Sequence, residues 1–248
     1  MIMKSLGLYL LAATLFTLPL QAQFTKPAAT STTELSASIQ ERNEHRTQSI
    51  LHAYPIRNVG PVTMSGRVSD IAVHPDTTRI FYVGFGSAGI FKTTNGGITM
   101  EPVFDNQGGA LGIGDIAISK SKPNILWAGT GENNSSRSTY AGTGVYKTTD
   151  AGNTWEFMGL EGTQHIGSIL IHPENPDVVW VGSMGALYSE NADRGVYKTE
   201  DGGITWEKTL FVNEGTGVID SIIHPENPNH LWAATWERSR EAWNFVES

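Results

Sequence analysis

Residues 145–155 read VYKTTDAGNTW, and residues 196–206 read VYKTEDGGITW. A third copy, IFKTTNGGITM, occupies residues 90–100, where Asn95 replaces the Asp and Met100 replaces the Trp of the other two copies. The lysines of the three copies are 55 and 51 residues apart. Self-similarity at a period of about 40–50 residues is typical of folds in which each repeat forms one supersecondary unit.

Two further pieces recur upstream of each copy. The first piece ends in a His-Pro turn in three of its four copies, which are IAVHP (71–75), IAISK (116–120), ILIHP (169–173) and SIIHP (221–225). The second piece carries an aromatic residue in four copies, which are FYVG (81–84), LWAG (126–129), VWVG (179–182) and LWAA (231–234). The recurring pieces predict four short strands in each unit. We name these strands A to D, outward from a central axis. The His-Pro turn follows strand A, and VYKT lies in strand C.

This pattern predicts an all-β protein, a β-propeller of four-stranded antiparallel blades. About three and a half blades are present, because the fourth unit stops before its strand C. Propellers close with four to eight blades. We therefore expect an incomplete ring, with the remaining blades supplied by a longer chain of which this is the N-terminal fragment.

Composition excludes several classes of function. The formal net charge is −8, so neither a nucleic acid nor an anionic membrane surface is expected as a partner. There is no cysteine, which rules out disulfides, thiolate metal sites and a lipoprotein anchor. No cofactor and no metal site are predicted from the sequence.

The N-terminus has the three parts of a secretory signal peptide, predicted over residues 1–22. Lys4 is followed by an apolar run over residues 6–20 and by a cleavage site after Ala22. The run is shorter than the roughly 20 residues of a spanning helix, so no stable membrane anchor is expected. The protein is predicted to be exported, to the periplasm, the cell surface or the medium. Residues 23–53 are predicted to be a linker with a short polar helix over 34–51, and residues 54–248 the partial propeller.

The eight-residue turn after strand C matches the Asp-box pattern Ser/Thr-x-Asp-x-Gly-x-Thr-Trp at residues 148–155 and 199–206. An Asp at its third position can accept backbone N–H groups of the turn, and Gly allows the positive φ that the turn needs. The Trp is expected to close over its own hairpin. These turns are predicted to be structural.

Together with these turns, RNVGP (57–61), SGRV (65–68) and GENN (131–134) make the chain resemble bacterial exported proteins with a sortilin-type N-terminal propeller, often described as glycosyl-hydrolase-like. It is also similar to xyloglucanase propellers and to plant photosystem assembly propellers. The resemblance implies the fold more strongly than any activity, because one fold hosts many functions.

The D–A and B–C loops of a blade open on one face, here called the loop face, because successive strands alternate in direction. Long loops on a rigid scaffold commonly carry binding residues. Carboxylates, amides, arginines and aromatics in these loops suit a peptide or carbohydrate ligand, although a solvated surface with local ion pairs is the alternative. The candidate ligand-binding residues are Arg67, Glu132, Asn133, Arg137, Tyr140, Arg194, Glu237, Arg238 and Trp243.

Carboxylates also recur where strand A begins. Asp70, Asp115 and Asp220 share this position with Ser168, at the mouth of the predicted central channel. They are interpreted either as a cation or acid–base site or as groups that each cap their own blade. The latter role is favoured for a position repeated in every blade.

Glycoside hydrolysis needs two facing carboxyl groups, and the candidates are Asp70, Asp115, Glu132 and Asp220. The xyloglucanase resemblance implies an acid just after strand B of the first blade, but residues 85–89 read FGSAG. The sialidase resemblance implies three converging arginines and a tyrosine nucleophile, which spacing alone does not establish. We therefore predict an exported module that binds a peptide or glycan, with a glycoside hydrolase of xyloglucanase or sialidase type as the alternative. His74, His172 and His224 are predicted to serve their turns rather than a metal.

Overall fold

A computed structural model describes residues 26–54, 66–106, 109–134 and 139–241. The predicted signal peptide, the motif at 57–61, Arg137 and Trp243 lie outside the described residues. Fourteen strands occur within them. They are β1 (Val68–Val73), β2 (Phe81–Phe85), β3 (Gly89–Thr93), β4 (Glu101–Pro102), β5 (Ile113–Ile118), β6 (Leu126–Thr130), β7 (Val145–Thr148), β8 (Glu156–Phe157), β9 (Ile166–Ile171), β10 (Val179–Ser183), β11 (Gly195–Thr199), β12 (Glu207–Leu210), β13 (Thr216–His224) and β14 (Asn227–Glu237).

The strands form blades in chain order. Three four-stranded antiparallel sheets, β1–β4, β5–β8 and β9–β12, are followed by the two-stranded sheet β13–β14. The first strands of the four blades lie side by side, β1 next to β5, β5 next to β9 and β9 next to β13. The fold is that of a partial β-propeller, with the innermost strands around a channel, and the predicted fold class is confirmed.

A polar helix precedes the blades. The helix α1 spans Thr32–Gln48, and a 3₁₀ turn follows at Ile50–Ala53. A capping box stabilises the start of α1, because the Ser31 side chain accepts from the Glu34 N–H while the Glu34 carboxylate accepts from the Ser31 N–H. No residue of α1 is buried. Within the described residues, no helix is both long enough and apolar enough to span a bilayer.

The two largest hydrophobic clusters lie between blades. One cluster joins blades one and two through Ile90, Ile113 and Tyr146, and a second joins blades two and three through Trp127 and Ile166. The penultimate residue of strand B is glycine in the first three blades because the next blade packs there: a Cβ on residue 129 would lie 2.4 Å from Ile166 Cγ2. The repeat therefore encodes the surface on which its neighbour packs.

The turn between strands C and D uses the predicted side-chain bonds. The Asp150 carboxylate accepts from the Thr154 N–H at 2.8 Å and from the Thr154 hydroxyl at 2.6 Å. These bonds, with one from Thr148, lower the pKa of Asp150 to about 2. In the first blade Asn95 takes this place, and its amide oxygen accepts from the Thr99 N–H at 3.0 Å.

The tryptophan that ends this turn joins neighbouring blades. Trp155 Nε1 donates to the Val103 carbonyl of the preceding blade at 2.9 Å, and Trp206 Nε1 donates to the Met158 carbonyl at 2.8 Å. The ring of Trp206 also meets the ring of Trp127 edge-to-face at 5.8 Å. The prediction that each Trp closes over its own hairpin is therefore wrong, because its ring is held by the blade before it.

The His-Pro turns have the predicted structural role. The Nδ1 atoms of His74, His172 and His224 each accept a backbone N–H from two residues further along the chain, at 3.1–3.2 Å. Because each histidine serves its own turn, the turn interpretation is confirmed.

Candidate functional site

An ion pair on the loop face crosses the junction between blades one and two. Arg67 precedes β1, and Glu132 follows β6. The pair is bidentate, with Arg67 Nε 2.5 Å from Glu132 Oε1 and Arg67 Nη2 2.7 Å from Glu132 Oε2. The Glu132 side chain is fully buried, whereas the Arg67 side chain is 43% exposed. The hydrogen bonds to Glu132 raise the pKa of Arg67, and this bidentate pairing fixes the position of the guanidinium.

Tyr140 lies beside this ion pair and is 50% exposed. It is close enough to Arg67 to act on it electrostatically. Its carbonyl accepts from the Glu132 N–H at 3.0 Å. A Cβ on residue 112 would lie 3.3 Å from Tyr140 Cβ, so the glycine there lets the tyrosine backbone pack closely. Three predicted candidates, Arg67, Glu132 and Tyr140, are thus brought together.

Two other predicted ligand contacts, Arg194 and Arg238, are buried. Arg194 donates to the carbonyls of Gly215 and Ala186, both at 2.8 Å. Arg238 donates to the Asn134 carbonyl at 3.1 Å. The interpretation of these arginines as surface contacts is corrected, because their guanidinium groups hold loop backbones together instead. The loop face is therefore stiffened from beneath by buried cations.

A small groove runs beside Tyr140 on the same face. It has a volume of about 150 Å³, and residues of three loops line it, including Thr139, Ala141, His165 and Leu187. His165 is buried, and its Nδ1 lies 2.9 Å from the Glu132 carbonyl, which can only accept a hydrogen bond. Burial lowers the pKa of His165 to about 4. The ring is therefore neutral at neutral pH and donates to the loop that carries Glu132.

The carboxylates of the innermost strands join blades to one another. Asp70 Oδ2 accepts from the Ile116 N–H at 3.0 Å, and Asp115 Oδ2 accepts from the Ile169 N–H at 2.5 Å. In both cases the donor belongs to the following blade. The expectation that each group caps its own blade is therefore corrected, although the role is still structural.

These carboxylates line a channel of about 470 Å³. Burial, together with the neighbouring Asp70 carboxyl, raises the pKa of Asp115 well above its usual range. At the same position Ser168 forms a 2.7 Å hydrogen bond with Ser221 of the next blade. Asp220 is exposed and accepts from the Ser221 N–H at 2.8 Å.

Two candidates remain among the described residues, Asn133 and Glu237. Asn133 is half-buried and Glu237 is exposed. The groove residues, above all His165 and Leu187, were missed by sequence reasoning. A signal was available, since Gln164 and His165 occupy a D–A loop and D–A loops belong to the loop face.

Comparison with solved structures identifies the fold. An ancestral GH74 enzyme matches with a TM-score of 0.55 at 23% identity, over 70% of this chain and 22% of that one. A GH74 enzyme from Niastella koreensis matches with a TM-score of 0.51 at 18% identity, over 69% of this chain and 26% of that one. The GH74 xyloglucanase from Xanthomonas campestris matches with a TM-score of 0.51 at 15% identity, over 68% and 27%.

The β-propeller fold is shared with these GH74 enzymes. At these identities the likeness shows the fold alone, and this chain spans about a quarter of the length of the structures that it matches. No protein-family model and no curated protein matches the sequence.

Proposed function

We propose that this propeller is an exported module that binds an extracellular peptide or glycan on its loop face, like the sortilin-type exported proteins that its Asp-box turns resemble. One observation supports this most directly. A half-exposed tyrosine, Tyr140, lies beside an arginine, Arg67, whose position is fixed by the buried Glu132.

This arrangement suits recognition rather than bond cleavage. A tyrosine ring offers an apolar face for a sugar ring or a peptide plane, and its hydroxyl can form hydrogen bonds. The guanidinium supplies a positive charge and a planar face on which a ring can stack. The acid of the cluster, Glu132, is fully buried and has both oxygens bound to Arg67. Glu132 therefore positions the arginine and is poorly suited to act as an acid or base.

The test is a Tyr140→Ala chain titrated calorimetrically with a ligand selected from peptide and glycan arrays. We expect the Kd to rise about tenfold or more, because loss of an aromatic contact at an interface commonly costs over 1 kcal/mol. The melting temperature should stay unchanged, since half of the ring faces solvent. The matched control is Ile204→Ala, an exposed residue of a C–D turn on the opposite face. Normal binding by Tyr140→Ala, with weakened binding by Ile204→Ala, would place the site on the other face.

A glycoside hydrolase of xyloglucanase or sialidase type is the second candidate. It is supported by the Asp70–Asp115 pair in the channel, where burial and the neighbouring Asp70 carboxyl raise the pKa of Asp115, as the general acid of such a pair requires. A xyloglucanase is also among the propellers that share the fold. Both carboxylates, however, accept backbone N–H groups of the next blade, which favours the binding role.

The assay for this alternative is release of reducing sugar or sialic acid from xyloglucan and sialyl-oligosaccharides. We expect no turnover. Turnover that disappears in Asp115→Asn and persists in Asp220→Asn would establish the hydrolase instead. In the Asp115→Asn chain, the Asn side chain keeps an oxygen that can accept from the Ile169 N–H. We therefore expect this chain to fold, so that a loss of turnover would reflect the lost carboxyl group.

A further inference from the structure

Residues 26–30, here called the strap, read KPAAT and lie on the loop face, ahead of helix α1. The strap is neither helix nor strand. Ser189 Oγ donates to the Pro27 carbonyl at 2.6 Å. The Lys26 ammonium donates to the Ser239 hydroxyl and lies 3.8 Å from Glu241 Oε1.

The second half of the strap forms one wall of the 150 Å³ groove described above. Ala28, Ala29 and Thr30 border it on one side. The opposite walls come from the B–C loops of blades two and three and from the D–A loop between them, and they consist of Thr139, Ala141, Gln164, His165, Ala186, Leu187, Tyr188 and Ser189. None of these wall residues is an acid, a lysine or an arginine.

The groove is preorganised. Arg194 holds the carbonyls of Ala186 and Ser189, at 2.8 and 3.2 Å. The Leu187 carbonyl accepts from the Arg240 N–H at 3.1 Å. A rigid receptor loses little conformational entropy on binding, so a short segment can be recognised through few contacts.

The strap itself is held loosely. Its residues are exposed, apart from the half-buried Ala29. The Lys26–Glu241 contact is an ion pair between side chains that are each 37% exposed, and such pairs contribute little to stability. Proline at position 27 fixes φ near −65° and favours an extended Lys26, which lowers the entropy lost on docking.

From these contacts we propose that the loop surface beneath the strap, which forms the other walls of the groove, is a peptide-binding site selective for a basic residue followed by proline, and that the strap occupies it in cis. This inference rests on the proposed function, since it names the ligand class for the loop face. A segment of the same chemistry from another chain competes with the strap. Tethering gives the strap an effective concentration in the millimolar range, so free peptide binds the intact chain weakly.

The experiment measures binding of a fluorescein-labelled, end-capped KPAATS peptide by fluorescence anisotropy. The receptors are the intact chain, a Lys26→Glu/Ala29→Asp chain and a chain beginning at Ser31, which keeps the N-cap of α1. Both altered chains should bind the peptide at least about tenfold more tightly than the intact chain, because the competing segment is displaced or absent. A Lys122→Glu chain is the control, with the same lysine-to-glutamate change as at Lys26 but at an exposed site in an A–B turn.

Two further variants test the chemistry of recognition. Ser189→Ala in the chain beginning at Ser31 should weaken binding about two- to tenfold through loss of one hydrogen bond, and an EPAATS peptide should bind more weakly than KPAATS. Equal, weak binding of KPAATS to all chains would overturn the peptide site. If removal of the strap instead exposes a glycan site, glycan binding will rise while KPAATS binding stays flat, and the proposal again fails. If the Tyr140→Ala chain binds its ligand normally while KPAATS binding changes as expected, the proposed function fails and the peptide-site proposal stands.

Discussion

A Gly131→Ala chain is expected to lose more than about 4 kcal/mol of its free energy of unfolding, or to fail to fold. Gly131 has φ +88°, and a Cβ there would lie 1.9 Å from the Gln164 carbonyl oxygen. The obstacle is backbone of the D–A loop between blades two and three, so a side-chain rotation cannot relieve it. The same residue leads into Glu132, so the loop face should be distorted as well.

Gly96→Ala is the matched control. Gly96 also has a left-handed φ, +75°, but no atom lies within 4 Å of the position that a Cβ would take there. Its substitution should cost about 1–2 kcal/mol, the strain of a left-handed non-glycine residue. Chemical denaturation of both chains measures the difference. Equal losses would show that backbone conformation, rather than the close approach of blades, governs the cost.

Trp127→Ala is the second large effect, with an expected loss of about 3–5 kcal/mol. The side chain is fully buried and meets Trp206 of the next blade edge-to-face at 5.8 Å. Its indole N–H has no hydrogen-bond partner among the described residues. The loss is therefore one of packing, in the core that joins blades two and three.

The control is Trp232→Ala, because Trp232 holds the same repeat position in blade four but is 47% exposed. Its loss should be about half that of Trp127→Ala, since about half as much of its area is buried. Denaturant titration followed by circular dichroism compares the two chains. Similar losses at both positions would mean that the repeat position, and not contact with the next blade, determines stability.

Much of the fold could be predicted because its determinants are local. The Asp150 turn closes on itself within eight residues, and the His172 turn within four, so each copy specifies its own hairpin. Alternation of four strands then assigns the D–A and B–C loops to one face. These features depend on contacts between residues that are close in the sequence. Each repeat encodes the same contacts, so the pattern is visible several times along the chain.

The candidate site was only partly predictable. Arg67, Glu132 and Tyr140 were placed on the loop face by strand order, and they meet there. Sequence could not separate Arg67, which is half-exposed, from Arg194, which is buried beneath the same face. Both arginines occupy polar loops, and their difference depends on which carbonyls or carboxylates the adjacent loops bring near them.

The sequence by itself determined the blade: its four strands, its turns and the face on which its variable loops lie. Only the tertiary structure decided what joins one blade to the next, such as the bond from the Ile116 N–H to Asp70 and the bond from Trp206 to Met158. It also placed the strap along the groove, with Pro27 beside Ser189. The physical reason is that these contacts connect residues 46, 48 and 162 positions apart, where pairing depends on the packed geometry of whole blades rather than on any local preference of the chain.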